Sequence, residues 1–147
     1  MAIAQVLTIE EVREYTSDFT PNNYLIDGEE FSDTFITLCM ELAVAEYNAI
    51  PPISQTNLSM FPSKAVLMSG TIWKMMSGKA LLLARNTMAY SDGGLQIPIE
   101  ERAELYSSLA AQWQQQFMSS AQQLKKNLNM EAGYGDVHSD YANFPLW

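Results

Sequence analysis

The most regular pattern of apolar positions lies between residues 99 and 129. Apolar side chains recur there at steps of three and four, as they do along one face of an α-helix. Acidic residues fill the first turn of this segment and two lysines stand near its end, an arrangement that suits the helix dipole. The apolar positions are Tyr106, Leu109, Ala110, Trp113, Phe117, Ala121, Leu124 and Leu128. We therefore predict a long amphipathic helix over residues 99–129.

Three earlier segments, at residues 8–16, 32–49 and 63–90, are also predicted to be helices. Each begins with a residue type that caps a helix by accepting a hydrogen bond from the first turn. The Pro51-Pro52 pair stops the second segment, because proline cannot continue a helix. The capping positions are Thr8, with Glu11 in a capping box, Ser32 and Ser63. The predicted fold class is all-α, a helical bundle of about four helices.

The connection between the third and fourth helices contains a turn signal. Residues 90–98 read YSDGGLQIP, in which Asp92 and Gly93 favour a tight turn. Residues 95–97, Leu-Gln-Ile, alternate between apolar and polar as a short strand does. We therefore predict a small hairpin or a projecting loop at this connection.

The end of the chain differs from the helical part. Gly133 and Gly135 are predicted to end the fourth helix, since glycine commonly follows the last helical turn. Aromatic residues then appear without a helical period, and such residues are typical anchors of interfaces. They are Tyr134, Tyr141, Phe144 and Trp147. We divide the chain into a helical domain, 1–130, and an extended C-terminal arm, 131–147, which either docks on a partner or folds back on its own domain.

The third helix carries half of the protein's eight basic residues on one side. On a helical wheel they fall within an arc of roughly 140°, opposite an uncharged apolar face. This basic stripe consists of Lys64, Lys74, Lys79 and Arg85. Gly78 lies in the same arc, and because glycine costs about 1 kcal/mol relative to alanine in a helix, it is predicted to mark a close approach by another backbone.

The charge of the protein is large and unevenly placed. The net charge is −9, which argues against an autonomous nucleic-acid binder because phosphate binding depends on lysine and arginine. Residues 1–50 hold ten carboxylates and only one base, Arg13, whereas the remainder is balanced. This acid-rich segment is the expected counterpart of the basic stripe, either within one chain or across a subunit interface. A surface that serves only solubility is the alternative.

The residue types that usually carry catalysis or bind metals are sparse. Cys39 is the only cysteine and stands in an apolar helical run, which indicates a core position. His138 is the only histidine, and Ser77-Gly78-Lys79 lacks the spacing of a phosphate-binding loop. We therefore predict no enzyme activity, no cofactor and no metal site. The N-terminus lacks the features of a signal peptide, and no segment is apolar enough for a membrane span, so an intracellular, soluble protein is expected.

Five phrases occur in a characteristic order along most of the chain: LTIEEVREY, LIDGEEFSD, FPSKAVLMSGTIW, YSDGGLQIPIEERAELY and LKKNLNMEAGYG. In these phrases and in the order of its helices, the chain resembles the small helical head–tail connector proteins, also called adaptor or neck proteins, of tailed bacteriophages. The resemblance implies a structural virion protein that forms a ring of identical subunits, commonly twelve. The ring would join the portal vertex of the capsid to the tail around the DNA exit channel.

The resemblance also implies partners and a location. The partners are copies of the chain itself, the portal protein and the next neck or tail protein, with genomic DNA only passing through and no membrane. The protein would be assembled in the host cytoplasm and reside in the virion neck. The expected interface residues are the basic stripe, Gly78 and the arm from Tyr134 to Trp147. The acid-rich segment would face the channel and repel DNA phosphates. The alternatives are a neck collar or tail-terminator ring, or a non-virion cytosolic helical interaction protein.

Overall fold

The computed structural model describes residues 6–23, 27–86 and 100–134, and within these ranges it contains helices and no strands. The four α-helices are α1 (Ile9–Thr16), α2 (Asp33–Ala49), α3 (Lys64–Arg85) and α4 (Glu100–Tyr134). Two short 3₁₀ helices, Thr20–Asn22 and Leu58–Met60, lie in the connections. The predicted all-α bundle of four helices is confirmed. The hairpin or loop predicted at residues 90–98 and most of the arm lie outside the described residues.

The predicted helix starts are confirmed by their capping contacts. Thr8 and Glu11 form the reciprocal capping box, in which each side chain accepts a hydrogen bond from the other's backbone N–H. The hydroxyl of Ser32 accepts from the N–H of Phe35 at the start of α2. Ser63 caps α3 in the same way. Capping is a local interaction, so the sequence alone is enough to predict these three boundaries.

Two predicted helix ends differ from the structure. The third helix was predicted to reach residue 90, but α3 ends at Arg85, and the N–H of the capping residue Asn86 bonds to the Leu82 carbonyl. The fourth helix was predicted to end at residue 129, but α4 continues through Gly133 to Tyr134. A single glycine lowers helix stability without forbidding the helix, which is why Gly133 does not stop α4.

Helix α3 packs against both α4 and α2 and makes more of its contacts with α4. Its first half is buried on all sides, at Val66, Leu67, Ser69, Gly70, Thr71, Ile72, Trp73 and Met75. The hydroxyls of Ser69 and Thr71 donate to carbonyls one turn earlier in the same helix, so their burial leaves no donor unpaired. On a helical wheel Thr71 falls on the same side as the basic stripe, but neighbouring residues cover that side in this half of the helix, and Thr71 is fully buried.

Both glycines of α3 mark close approaches between helices. A Cβ atom at Gly70 would lie 2.7 Å from the Phe117 ring of α4 and 2.9 Å from the Ala43 Cβ of α2. A Cβ at Gly78 would lie 2.6 Å from Cζ of Phe35 in α2. The close approach predicted at Gly78 therefore exists, but the neighbour is an aromatic side chain of the same chain. The prediction of another backbone at Gly78 is wrong.

Candidate interaction surfaces

The basic stripe meets the acid-rich segment within one chain. Lys64 of α3 forms an ion pair with Glu11 of α1. The Nζ atom of Lys74 lies 2.8 Å from Oε1 of Glu46 in α2, and it also stands 4.0 Å above the centre of the Trp73 ring. The carboxylates of both pairs are partly exposed, and each such pair contributes little to stability on its own. Of the two arrangements left open by the sequence, the structure contains the intramolecular one.

Lys79 takes part in a more enclosed contact. Its Nζ atom lies 2.9 Å from Oε1 of Glu30, with both side chains less than 20% exposed. The hydroxyl of Tyr106 in α4 donates to the same carboxylate oxygen at 3.0 Å. Burial and, after it, the negative charge of Glu30 raise the pKa of Tyr106. This contact joins α3, the segment before α2, and α4. Arg85, the fourth member of the stripe, is exposed at the end of α3.

Gly78 and Lys79 also line a surface groove. This groove has a volume of about 920 Å³ and lies between the segment 27–32, the start of α2 and the end of α3. Its apolar wall includes Phe31 and Phe35, whose rings stack with 5.9 Å between their centres. Two of the predicted interface residues therefore face a groove of their own subunit. Their role at a subunit interface stays a prediction.

A buried ion pair that the sequence did not indicate organises the N-terminal third. Arg13 and Asp18 are 6% and 3% exposed, and the guanidinium donates to the Asp18 carboxylate at 3.0 Å. The other guanidinium nitrogen donates to the Phe31 carbonyl at 2.8 Å. The same nitrogen contacts the exposed carboxylates of Glu29 and Asp33. Arg13 thereby ties α1 to the start of α2.

Asp18 accepts three further hydrogen bonds. Its donors are the backbone N–H groups of Glu30, at 2.7 Å, and Phe31, at 3.0 Å, and the side-chain amide of Asn23, at 2.8 Å. Burial alone would raise the pKa of Asp18, but these hydrogen bonds and the charge of Arg13 outweigh it and hold the pKa below its usual range. The only sequence signal for this site is that Arg13 is the single base among ten acids in residues 1–50.

Helix α2 presents an apolar face that no other described element covers. Its exposed residues on the side away from α3 include Leu38 and Leu42, which are 48% and 42% exposed. Ala45 and Ala49 continue the line at steps of three and four residues, the spacing of a helix–helix seam. We call these four residues the α2 outer face. This face cannot be identified from the sequence, because α2 is apolar nearly all round and its apolar residues show little helical periodicity.

A second apolar area surrounds a smaller groove of about 320 Å³. Ile53 and Met60, on the connection between α2 and α3, are 83% and 71% exposed. Leu128 of α4 borders the groove from the other side. We call it the Lys125 groove, and its lining residues are Tyr47, Pro52, Ile53, Ser54, Thr56, Met60, Pro62, Lys125, Leu128 and Asn129.

Lys125 stands at the base of that groove and is only 3% exposed. Its ammonium donates to the carbonyls of Ile50 and, at 2.8 Å, Pro52, and lies 4.6 Å from the centre of the Tyr47 ring. Burial lowers the pKa of Lys125. Among the described residues, no carboxylate forms an ion pair with it. Lys125 was predicted to complement the dipole of the fourth helix at its C-terminal end. However, α4 ends nine residues after Lys125. The carbonyl groups that accept hydrogen bonds from Lys125 belong instead to the residues that follow α2.

The remaining predicted residues divide into described and undescribed ones. Cys39 is buried, as its apolar surroundings in the sequence indicate, and burial raises the pKa of its thiol to about 11. Tyr134 is the last residue of α4. Tyr141, Phe144, Trp147 and His138 lie outside the described residues. Within the described part, no cluster of three or more histidine, cysteine or acidic side chains could hold a metal ion. No described helix is long and apolar enough to cross a membrane.

Comparison with known proteins gave no relative. No protein-family model, no curated protein and no solved structure matches the chain. The candidate surfaces must therefore be interpreted from their own chemistry.

Proposed function

We propose that this protein is a structural subunit of a homo-oligomeric ring in the neck of a tailed phage, where it joins the portal vertex to the tail around the DNA exit channel. The sequence resemblance supplies the identity of the assembly. The observation that carries the proposal is the α2 outer face, since monomeric soluble proteins rarely leave large apolar residues exposed side by side. Its two leucines, Leu38 and Leu42, are 48% and 42% exposed.

The chemistry of two outer surfaces suits a ring. The α2 outer face is apolar, whereas the outward side of α4 is polar and lies on a different helix. A ring with a single repeated contact needs two such unlike surfaces, which meet head to tail. The outward side of α4 consists mainly of neutral polar residues, Gln112, Gln115, Gln116, Ser119, Gln122 and Gln123. Neutral amides cost less to desolvate than charges, so this side can receive the α2 outer face of a neighbour.

The exposed acids fit a surface that faces DNA in transit. Glu11, Asp18, Glu30 and Glu46 are paired with bases inside the subunit. In the described part, four other acids of the segment are exposed and take no part in an ion pair: Glu10, Glu14, Asp27 and Glu41. Repeated around a ring, these charges would repel the phosphates of a passing duplex and keep it from binding the wall.

Charge substitutions on the α2 outer face test this proposal. We expect the double variant Leu38→Glu, Leu42→Glu to fold normally, because both side chains are already exposed, and to enter phage particles at least about tenfold less than the wild type. The measurement is the amount of the chain in purified particles after complementation of a phage that lacks it. The matched control is Leu81→Glu, a 68% exposed leucine of α3 away from that face. Equal incorporation of the double variant and the wild type would remove the α2 outer face from the interface.

A further inference from the structure

The Lys125 groove has the chemistry of a site for an acidic and aromatic peptide. Its walls are apolar, with Ile53 and Met60 among the most exposed apolar residues of the described part of the chain. A lysine has three N–H donors, and the carbonyls of Ile50 and Pro52 take two of those on Lys125. A buried ammonium without a counter-charge is unfavourable, so the groove favours a ligand that brings a carboxylate.

The size of the groove limits what can enter it. Its volume of about 320 Å³ lies at the small end of the range of about 300–1,000 Å³ found for ligand pockets. Such a space takes one or two side chains of an extended peptide and is too small for a partner's helix. The occupant should therefore be a short segment with an acid next to an aromatic residue.

One segment of this chain has that composition and begins close to the groove. Residues 135–147 read GDVHSDYANFPLW, in which Asp140 is followed by Tyr141 and, three residues later, by Phe144. They start where α4 ends, at Tyr134, and two groove residues, Leu128 and Asn129, lie on the last turns of the same helix. At 1.5 Å per residue, Lys125 is about 13 Å back along α4 from Tyr134.

The reach of an extended chain matches that distance. Gly135 directly follows the last helical residue, the position where glycine commonly reverses the chain at a helix end. An extended strand advances about 3.3 Å per residue, so the five residues from Gly135 to Asp140 span up to about 16 Å. Asp140 therefore reaches the level of Lys125, whereas Asp136, one residue after the reversal, does not.

We propose that the segment 136–147 folds back along α4 and docks in the Lys125 groove of its own chain, with the Asp140 carboxylate on the Lys125 ammonium and the ring of Tyr141 against the apolar walls. Attachment to the same chain decides between this arrangement and docking on a second copy. A segment held by a short connection has an effective concentration in the millimolar range, well above that of a separate chain in dilute solution. The apolar walls of the groove are then covered in the free subunit.

Photo-crosslinking of the full chain tests the placement. A chain of natural isotope composition with p-benzoylphenylalanine in place of Met60 is mixed with ¹⁵N-labelled wild type, irradiated and digested with trypsin. Because no base follows Lys126, the tail is recovered in one peptide, 127–147. We expect position 60 to be joined to an unlabelled tail peptide, within residues 136–147. Joining to a ¹⁵N-labelled tail peptide would show docking between chains and overturn the proposal, as would the absence of any tail crosslink.

Two controls make the test specific. Asp140→Asn in the crosslinking chain is expected to lower the yield several-fold, whereas Asp136→Asn, which falls short of Lys125, should leave it unchanged. Equal effects of the two substitutions would overturn the assigned ion pair. The crosslinking residue at Leu81, about 27 Å along α3 from Ser63, should give no tail product. A tail crosslink from position 81 as strong as that from position 60 would show that the tail does not select the groove.

Discussion

Replacing Asp18 by alanine is expected to lower the free energy of unfolding by about 3–5 kcal/mol, the usual cost of removing one partner of a buried ion pair. The substitution leaves the Arg13 guanidinium buried beside an empty position, and it leaves the backbone N–H groups of Glu30 and Phe31 without their acceptor. Urea unfolding followed by far-UV circular dichroism measures the change. The loss should exceed that of any single substitution in the other ion pairs, because their carboxylates are more exposed.

Asp33→Ala provides the matched control, since Asp33 contacts the same guanidinium of Arg13 from a side chain that is 71% exposed. Exposed pairs contribute about 0–1 kcal/mol, so this variant should stay close to the wild type. If both variants lost the same stability, the burial of the Arg13–Asp18 pair would not be what matters.

The pH dependence of unfolding gives a second measure of the Asp18 prediction. The pKa of Asp18 is lower in the folded protein than in the unfolded chain, where an aspartate titrates near about 3.9. The stabilisation is therefore fully present above the unfolded pKa and is lost as the pH falls through the folded one. Between pH 5 and the acid limit of folding, the wild type should lose stability more steeply than Asp18→Ala. If the free energies of unfolding of the wild type and of Asp18→Ala changed with pH in parallel, the lowered pKa of Asp18 would be contradicted.

The contact between Gly70 and Phe117 predicts a strong coupling between two substitutions. Phe117→Ala should cost about 3–5 kcal/mol, because the ring is fully buried against α3. Gly70→Ala alone should cost about 1–3 kcal/mol by overpacking, since the new Cβ would lie 2.7 Å from that ring. In the Phe117→Ala background the ring is gone, although the new Cβ still lies 2.9 Å from the Ala43 Cβ of α2. The second substitution should therefore cost clearly less in this background than it does in the wild type.

Unfolding of the four chains in this double-mutant cycle measures the coupling, which should exceed about 1 kcal/mol. Gln116→Ala, an exposed neighbour of Phe117, serves as the control and should show no coupling with Gly70→Ala. Additivity of the Gly70 and Phe117 substitutions would mean that α3 and α4 do not meet at Gly70 as closely as described.

The sequence allowed prediction of those features that depend on neighbouring residues. The capping residues Thr8, Ser32 and Ser63 are predicted correctly because each acts within one helical turn. The C-terminal ends of α3 and α4 are predicted less accurately. Gly133 is tolerated inside α4, and nothing in the composition near Arg85 stops a helix as strongly as the proline pair stops α2.

The candidate surfaces depend on contacts between distant parts of the chain, and the sequence gives little sign of them. Lys125 looks like an ordinary charge near a helix end, but the carbonyls that receive its hydrogen bonds belong to Ile50 and Pro52. Arg13 and Asp18 are joined by backbone groups of residues 30 and 31, which only the folded chain brings back to α1. Gly78 was correctly predicted to mark a close contact, while its neighbour, Phe35, was not identified.

The central claim, a ring of this chain in the phage neck, is tested most directly by its copy number in purified particles. Quantitative mass spectrometry with labelled peptides of the chain and of the portal protein gives the ratio of the two. We expect a fixed number of copies per particle that corresponds to one closed ring, commonly twelve in the head–tail connector proteins. Particles that are complete and infectious but contain none of this chain, or only a variable trace, would contradict it.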